Sequence, residues 1–176
     1  IHRTDEDLIA INATVATIES ELKALNIKVK YDNDDQKRPG WKFAEYELKG
    51  VPVRVAMGMR DVENNTVEIA RRDTKEKTTV ANENLGAYIQ DLLEKIQQNM
   101  YDKALAFRTA NTFVIDTWDA FTAQIEKGGF IYAHWDGTSE TEDKIKELTK
   151  ATIRCIPMDG VEEAGHWPRR QFVHHA

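Results

Sequence analysis

One cysteine, Cys155, and two serines, Ser20 and Ser139, are the only thiol and serine hydroxyls in this 176-residue chain. A single cysteine excludes an internal disulfide framework and any zinc site built from paired CxxC motifs. It also suits a reducing compartment, so a cytoplasmic setting is expected. Ser20 falls inside a helical pattern and Ser139 at an expected helix start, which argues against a serine hydrolase. No apolar run approaches the roughly 20 residues that a membrane span requires. The opening Ile1-His2-Arg3-Thr4-Asp5-Glu6 has neither the basic nor the apolar region of a signal peptide. The nine glycines form no phosphate-cradling loop. Positive charge is in deficit: 24 Lys and Arg stand against 30 Asp and Glu, a net −6.

The basic residues that are present are unevenly placed. Residues 28–77 hold 12 Lys/Arg and 10 Asp/Glu, a net +2, which leaves −8 on the remainder. Interspersed charges of both signs describe a well-solvated surface. They also describe a phosphate- or nucleic-acid-facing patch on an acidic protein. Composition does not choose between the two.

Hydrophobic periodicity predicts an α/β protein. Thr4 is placed to cap a helix whose first turn is acidic, and Leu8, Ile11, Val15, Ile18, Leu22 and Leu25 recur at helical spacing as far as Asn26. Ile27, Val29 and Tyr31 alternate with lysines, which predicts a strand. A polar loop over 32–40 leads to a short helix from Trp41 to Leu48, with Gly50 as its cap. Val51, Val53, Val55 and Met57 form a strand whose other face carries Arg54. Gly58 to Asn65 reads as a turn, Thr66 to Ile69 as the returning strand, and Thr78 to Val80 as a short further piece. A second long helix starts at Asn82 or Asn84 and extends toward Arg108. Helix 117–126, strand 130–135, helix 139–150 and strand 152–156 follow. The tail from Asp159 shows no period. A domain boundary is expected at 79–83, giving domains 1–80 and 81–176.

Five stretches carry a resemblance. Arg38-Pro39-Gly40-Trp41-Lys42-Phe43-Ala44-Glu45-Tyr46-Glu47-Leu48-Lys49-Gly50-Val51-Pro52-Val53-Arg54 is followed by Gly58-Met59-Arg60-Asp61 and Ala70-Arg71-Arg72-Asp73-Thr74. These resemble the anticodon-binding domain of prolyl-tRNA synthetases of the archaeal/eukaryotic type. Tyr132-Ala133-His134-Trp135-Asp136-Gly137-Thr138 and Ala151-Thr152-Ile153-Arg154-Cys155-Ile156-Pro157 resemble that type's C-terminal domain. The likeness is continuous from residue 1 to about 165. It implies a mixed-sheet anticodon-binding domain, whose first strand would precede Ile1, followed by a small α/β C-terminal domain. The family's ATP- and proline-binding motifs have no counterpart here. The resemblance therefore implies a C-terminal fragment that binds tRNA(Pro) and is not itself catalytic. It implies a parent that attaches proline to tRNA using ATP and magnesium, and that is a homodimer.

The chemistry of the implied site is specific. Proline anticodons share two adjacent guanines. An unpaired guanine offers N1–H and N2–H donors on one edge and O6 and N7 acceptors elsewhere. A carboxylate takes both donors, and an arginine serves the acceptors. A guanine-reading face should thus mix acids and bases, as residues 28–77 do. By similarity, Glu47 and Asp61 are guanine acceptors, and Arg54 and Arg60 serve guanine acceptors or phosphates. Lys42, Arg71 and Arg72 are possible further tRNA contacts, with Trp41 available for stacking. Simpler readings exist for each. Trp41 belongs to a core, Glu45 and Lys49 form a surface ion pair, and Arg54 pairs with Glu47 or Asp61.

Many relatives carry four zinc-binding cysteines in the last domain. The first pair aligns here with Trp135 and roughly Thr141, and the second falls after Gly165, where the sequence has no cysteine. No zinc or other cofactor is therefore expected in the fragment. His134, His166, His174 and His175 are the remaining metal-capable residues of this region, and Cys155 is expected to be a buried, inert thiol. Trp135 is expected to fill the space of the metal. The alternatives are the anticodon domain of another class II synthetase, and a protein-interaction module of synthetase descent.

Overall fold

The computed structural model describes residues 4–156, residue 158 and the backbone of the strand at 170–175. The chain divides into two compact units, Ile1–Asp102 and Lys103–Ala176.

The first unit begins with α1 (Asp5–Ala24). Thr4 caps it as expected: its hydroxyl accepts the Asp7 N–H at 3.2 Å, and the Asp7 carboxylate accepts the Thr4 N–H at 3.3 Å. The helix closes at Leu25, and Asn26 takes the left-handed φ of 58° that turns the chain back. Next comes α2 (Pro39–Leu48), which starts two residues earlier than the periodicity predicts. Pro39 suits a first helical turn, because its missing N–H would have no partner there. Strand β1 (Val53–Ala56), helix α3 (Met59–Glu63), and strands β2 (Thr66–Arg71) and β3 (Lys77–Ala81) follow. The three strands form one antiparallel sheet in the order β1-β2-β3, with Arg54 opposite Ala70 and Glu68 opposite Thr79. The stretch from Gly58 to Asn65, expected to be a plain turn, contains a short helix. The Asp61 carboxylate accepts the Gly58 N–H at 2.8 Å and so stabilises its first turn.

Alternation decides which sheet face is buried. Val67 and Ile69 of β2 are sealed against Ile11 and Leu22 of α1 and against Leu85, Ile89, Leu92 and Ile96 of α4 (Leu85–Ala110). Full burial of one such aliphatic side chain stabilises by roughly 1.5–3 kcal/mol. These four residues explain why the units divide at Asp102 and Lys103 and not at 80/81. The first half of α4 completes the first core, so the division falls within this helix.

Ile27 to Tyr31 has the alternation of a strand but enters no ladder. Alternation dictates which side chains face the core; a strand also needs a hydrogen-bonding neighbour. Ile27 and Val29 do pack on the core. A groove of about 1130 Å³ opens among α1, this extended segment, α2 and β1. Among the described residues β1 is an edge strand of its sheet.

In the second unit, β4 (Thr112–Val114), α5 (Trp118–Lys127), β5 (Phe130–His134), α6 (Ser139–Thr149), β6 (Ala151–Cys155) and β7 (Arg170–His175) make a four-stranded sheet in the order β4-β5-β7-β6. β4 is parallel to β5, and β7 is antiparallel to both its neighbours, which makes the sheet mixed. Phe121, Ile125, Ile131 and Ala151 form its core. Two of these strands differ from expectation. β4 lies in a stretch too short to show a period, and β7 lies in the tail that shows none. Cys155 is exposed, not buried, because the β6–β7 register shifts between Ile153 and Cys155 and takes that residue out of the alternation. His166 and the second pair of aligned ligand positions lie outside the described residues, as do the side chains of His174 and His175.

Candidate nucleic-acid interface

The residues expected to read a base sit on three consecutive elements of the first unit. Glu47 lies at the end of α2, Arg54 on β1, and Arg60 and Asp61 in α3. Lys49 caps α2, and Gly50, at φ 80°, lets the chain reverse into β1.

Arg54 is the most constrained of the four. It points to the sheet face opposite the core, where its guanidinium lies on the ring of Phe43 from α2, with Cζ 3.5 Å from the ring centroid. Its side chain is only 20% exposed. The nearest carboxylate oxygen is Oε1 of Glu68, 3.7 Å from Nη2, and Lys77 Nζ approaches that same oxygen at 3.7 Å. Arg54 therefore pairs with Glu68, not with Glu47 or Asp61. Burial pushes its pKa down and Glu68 opposes that shift, so the group stays cationic. Its Nη1 is buried with no hydrogen-bond partner among the described residues. An unmet buried donor of this kind costs on the order of 1–3 kcal/mol.

Glu47 is exposed and forms an ion pair with Lys75. Its backbone carbonyl accepts the Arg72 Nε–H at 2.9 Å, which ties the end of α2 to the sheet. Asp61 commits one carboxylate oxygen to capping α3. Arg60 is exposed and enters no salt bridge among the described residues.

The weaker candidates have structural partners. Lys42, 16% exposed, holds the Asp32 carboxylate at 2.8 Å and the Asp32 carbonyl at 3.3 Å. This pair holds the Asp32 carboxyl down at about 2. Arg71 is gripped by Asp73. Trp41 is 49% exposed and lies beneath Lys37 Nζ at 4.3 Å, so it is not a core residue. Its neighbours Phe43 and Tyr46 are the half-buried aromatics of α2. The expected ion pair of Glu45 and Lys49 is present at 2.7 Å.

Phe43, Glu68, Lys75 and Lys77 were not singled out by the sequence. Glu68 alternates with buried Val67 and Ile69, which marks it as facing outward. Only the strand register shows that it faces Arg54.

In the second unit, the positions that the resemblance sets against the first zinc ligands belong to a hydrogen-bonded turn. The Trp135 Nε1–H donates to the Thr138 carbonyl at 3.1 Å. The Asp136 carboxylate accepts the Thr138 N–H at 3.0 Å, the Thr138 hydroxyl at 2.8 Å and the Thr141 hydroxyl at 2.5 Å. These contacts, the Thr141 hydroxyl foremost, hold the Asp136 carboxyl below its usual range. An indole, two hydroxyls and one carboxylate do not match the thiolates of a structural zinc site. Among the described residues no three His, Cys, Asp or Glu side chains gather as a metal site. No helix among them is long and apolar enough to cross a membrane.

The first unit is a sheet backed by helices, with an acid- and base-bearing face formed by α2, β1 and α3. The anticodon binding domain family matches residues 6–92, and the family described as prolyl-tRNA synthetase, C-terminal, matches 118–168. A proline–tRNA ligase of Phocaeicola vulgatus is 60% identical over 164 residues, covering 93% of this chain and 33% of the relative. One from Cytophaga hutchinsonii is 60% identical over 166 residues, covering 94% and 34%. One from Bacteroides fragilis is 56% identical over 173 residues, covering 98% and 35%. The chain belongs to the prolyl-tRNA synthetase family, of which it carries the anticodon-binding domain and the C-terminal domain. It spans about a third of the length of these curated relatives.

Proposed function

We propose that this chain recognises the anticodon of tRNA(Pro) for a prolyl-tRNA synthetase. The parent would be a cytoplasmic, homodimeric class II enzyme that attaches proline to tRNA using ATP and magnesium. Proline and ATP would bind to a catalytic domain outside this chain, which contributes recognition and no chemistry. Neither the recognition nor the C-terminal unit requires zinc in this reading.

The observation that carries the proposal is Arg54. Among the described residues, this largely buried guanidinium has one distant, shared carboxylate and an unpartnered Nη1, and so is short of acceptors. The O6 and N7 of an unpaired guanine supply two, in the geometry a guanidinium fork fits. Glu47 and Asp61 offer carboxylates for N1–H and N2–H, and Arg60 offers an exposed charge for phosphate. Lys42, Arg71 and Arg72 act in this reading mainly by holding the framework.

The test is binding to a proline anticodon stem-loop in which each central guanine is replaced in turn by adenine. Each replacement should weaken binding by about 1–3 kcal/mol. Equal affinity for all versions refutes guanine readout.

A further inference from the structure

Arg54 is oriented by an aromatic ring more than by any acid. Its closest carboxylate oxygen is 3.7 Å away and shared with Lys77, whereas the Phe43 ring centroid is 3.5 Å from Cζ. These two kinds of partner affect the guanidinium differently. A carboxylate in fork-to-fork geometry occupies two N–H donors. A ring face attracts the cation through its π cloud and occupies none. Phe43 thus fixes the plane of the guanidinium and leaves its N–H edges unspent. Stacking is also insensitive to rotation within that plane. An acceptor that reaches the stacked fork gives Nη1 the partner it lacks among the described residues.

We propose that Phe43 is the positioning residue of the base-reading site, holding Arg54 flat so that its N–H edge meets the acceptor edge of guanine. This inference rests on the anticodon reading proposed above. In it, guanine selectivity depends on a side chain that does not touch the base. The placement of Phe43 follows from the fold. It stands on the inner side of α2, and Gly50 and the Arg72-to-Glu47 hydrogen bond fix how that helix meets the sheet.

Two measurements test it. In the unaltered chain without RNA, the Arg54 Nε–H proton should show a ring-current displacement in side-chain NMR; it should persist in Phe43→Tyr and vanish in Phe43→Leu. In stem-loop binding, F43L should lose about tenfold in its preference for guanine over adenine. Its affinity for the adenine stem-loop should stay within about twofold of the unaltered chain, a split that a general loss of structure would not produce. F43Y should keep the preference.

An undisplaced Arg54 proton in the unaltered chain overturns the proposal without recourse to any variant. A folded F43L that keeps full guanine preference overturns it as well. Equal binding of guanine and adenine stem-loops by an unaltered chain whose Arg54 proton is displaced removes the anticodon reading, and this inference with it. A guanine-selective chain whose F43L remains selective removes this inference alone.

Discussion

Asp73 holds Arg71 by two side-chain hydrogen bonds, from Nε at 3.1 Å and Nη2 at 2.8 Å, while Asn99 of α4 donates to the same carboxylate at 2.6 Å. The Asp73 side chain is 5% exposed, so the pair joins the end of β2 to α4 away from water. An arginine held this firmly serves the framework before it serves RNA.

Acid should weaken this arrangement first. Arg71 holds the Asp73 carboxyl down at about 2, and Lys42 does the same for Asp32, against ordinary values of 3.8. A depressed carboxyl contributes stability that is fully present above its unfolded pKa and lost as pH falls through the folded one. The loss should therefore fall between about pH 4 and pH 2, and amount to roughly 1–2 kcal/mol for Asp73. Urea melts across that range should show it. Asp73→Asn should flatten the curve there and lower stability at neutral pH. A D73N curve parallel to the unaltered one would reject the assignment.

Gly86 presents a contest between propensity and packing. Alanine is the better helix former by about 1 kcal/mol, so Gly86→Ala should stabilise α4 if nothing touches the position. A Cβ there would meet Glu21 Oε1 at 2.6 Å and Leu25 Cδ1 at 2.8 Å. The Glu21 carboxylate is not free to withdraw, because its Oε1 accepts the Gly86 N–H at 2.8 Å and satisfies an open donor of the helix start. Packing should win, and G86A should destabilise the protein by about 1–3 kcal/mol in chemical denaturation. A stabilised variant would mean that α1 and α4 can separate at no cost.

In the second unit, Asp136 gathers three donors from Thr138 and Thr141, at the place where the resemblance implies metal ligands. If this turn does the structural work by itself, a chelator should leave the melting temperature of the purified protein unchanged. Metal analysis should then find no stoichiometric zinc. Asp136→Ala should lower the melting temperature, since the hydroxyls and the Thr138 N–H lose their common acceptor. Stoichiometric zinc, or a fall in melting temperature on chelation, would reject the reading.

How far these features were legible in the sequence depends on whether a residue's role is local. Thr4 as a cap, the stripe of α1 and the outward face of Arg54 follow from spacing along one element, and each is found in place except for Leu25, which lies past the helix end and is exposed. The partners of Arg54 do not. Glu68 meets it only through the β1–β2 register, and Phe43 only through the way α2 is set on the sheet. Ile27 to Tyr31 shows the same limit from the other side, since its alternation is readable but its lack of a ladder is not. Cys155 turned outward because one register shift cancelled a pattern that read as buried. The candidate base-reading residues rest on resemblance, because neither charge nor period separates Glu47 from Glu45.

The mixed charge of the face leads to a prediction about salt. Each phosphate neutralised on a single strand contributes about −0.7 to the slope of log affinity against log salt. Of the candidate contacts, Lys42 is committed to Asp32 and Arg71 to Asp73, and the acids interspersed on the face oppose further phosphate contact. Arg60 is the exposed cation among the four base-reading candidates. The slope for the anticodon stem-loop should therefore be shallow, about −1 to −2. Arg60→Gln should reduce it by about 0.7 and weaken guanine and adenine stem-loops alike. Arg54→Lys should differ in kind. It keeps the charge but loses the planar fork and its stack on Phe43, so it should erode guanine preference with little change in slope. Measuring affinity over a range of salt for both variants against both stem-loops separates the roles, and a steep slope in the unaltered chain, or identical behaviour of the two variants, would show that the face binds backbone and does not read bases.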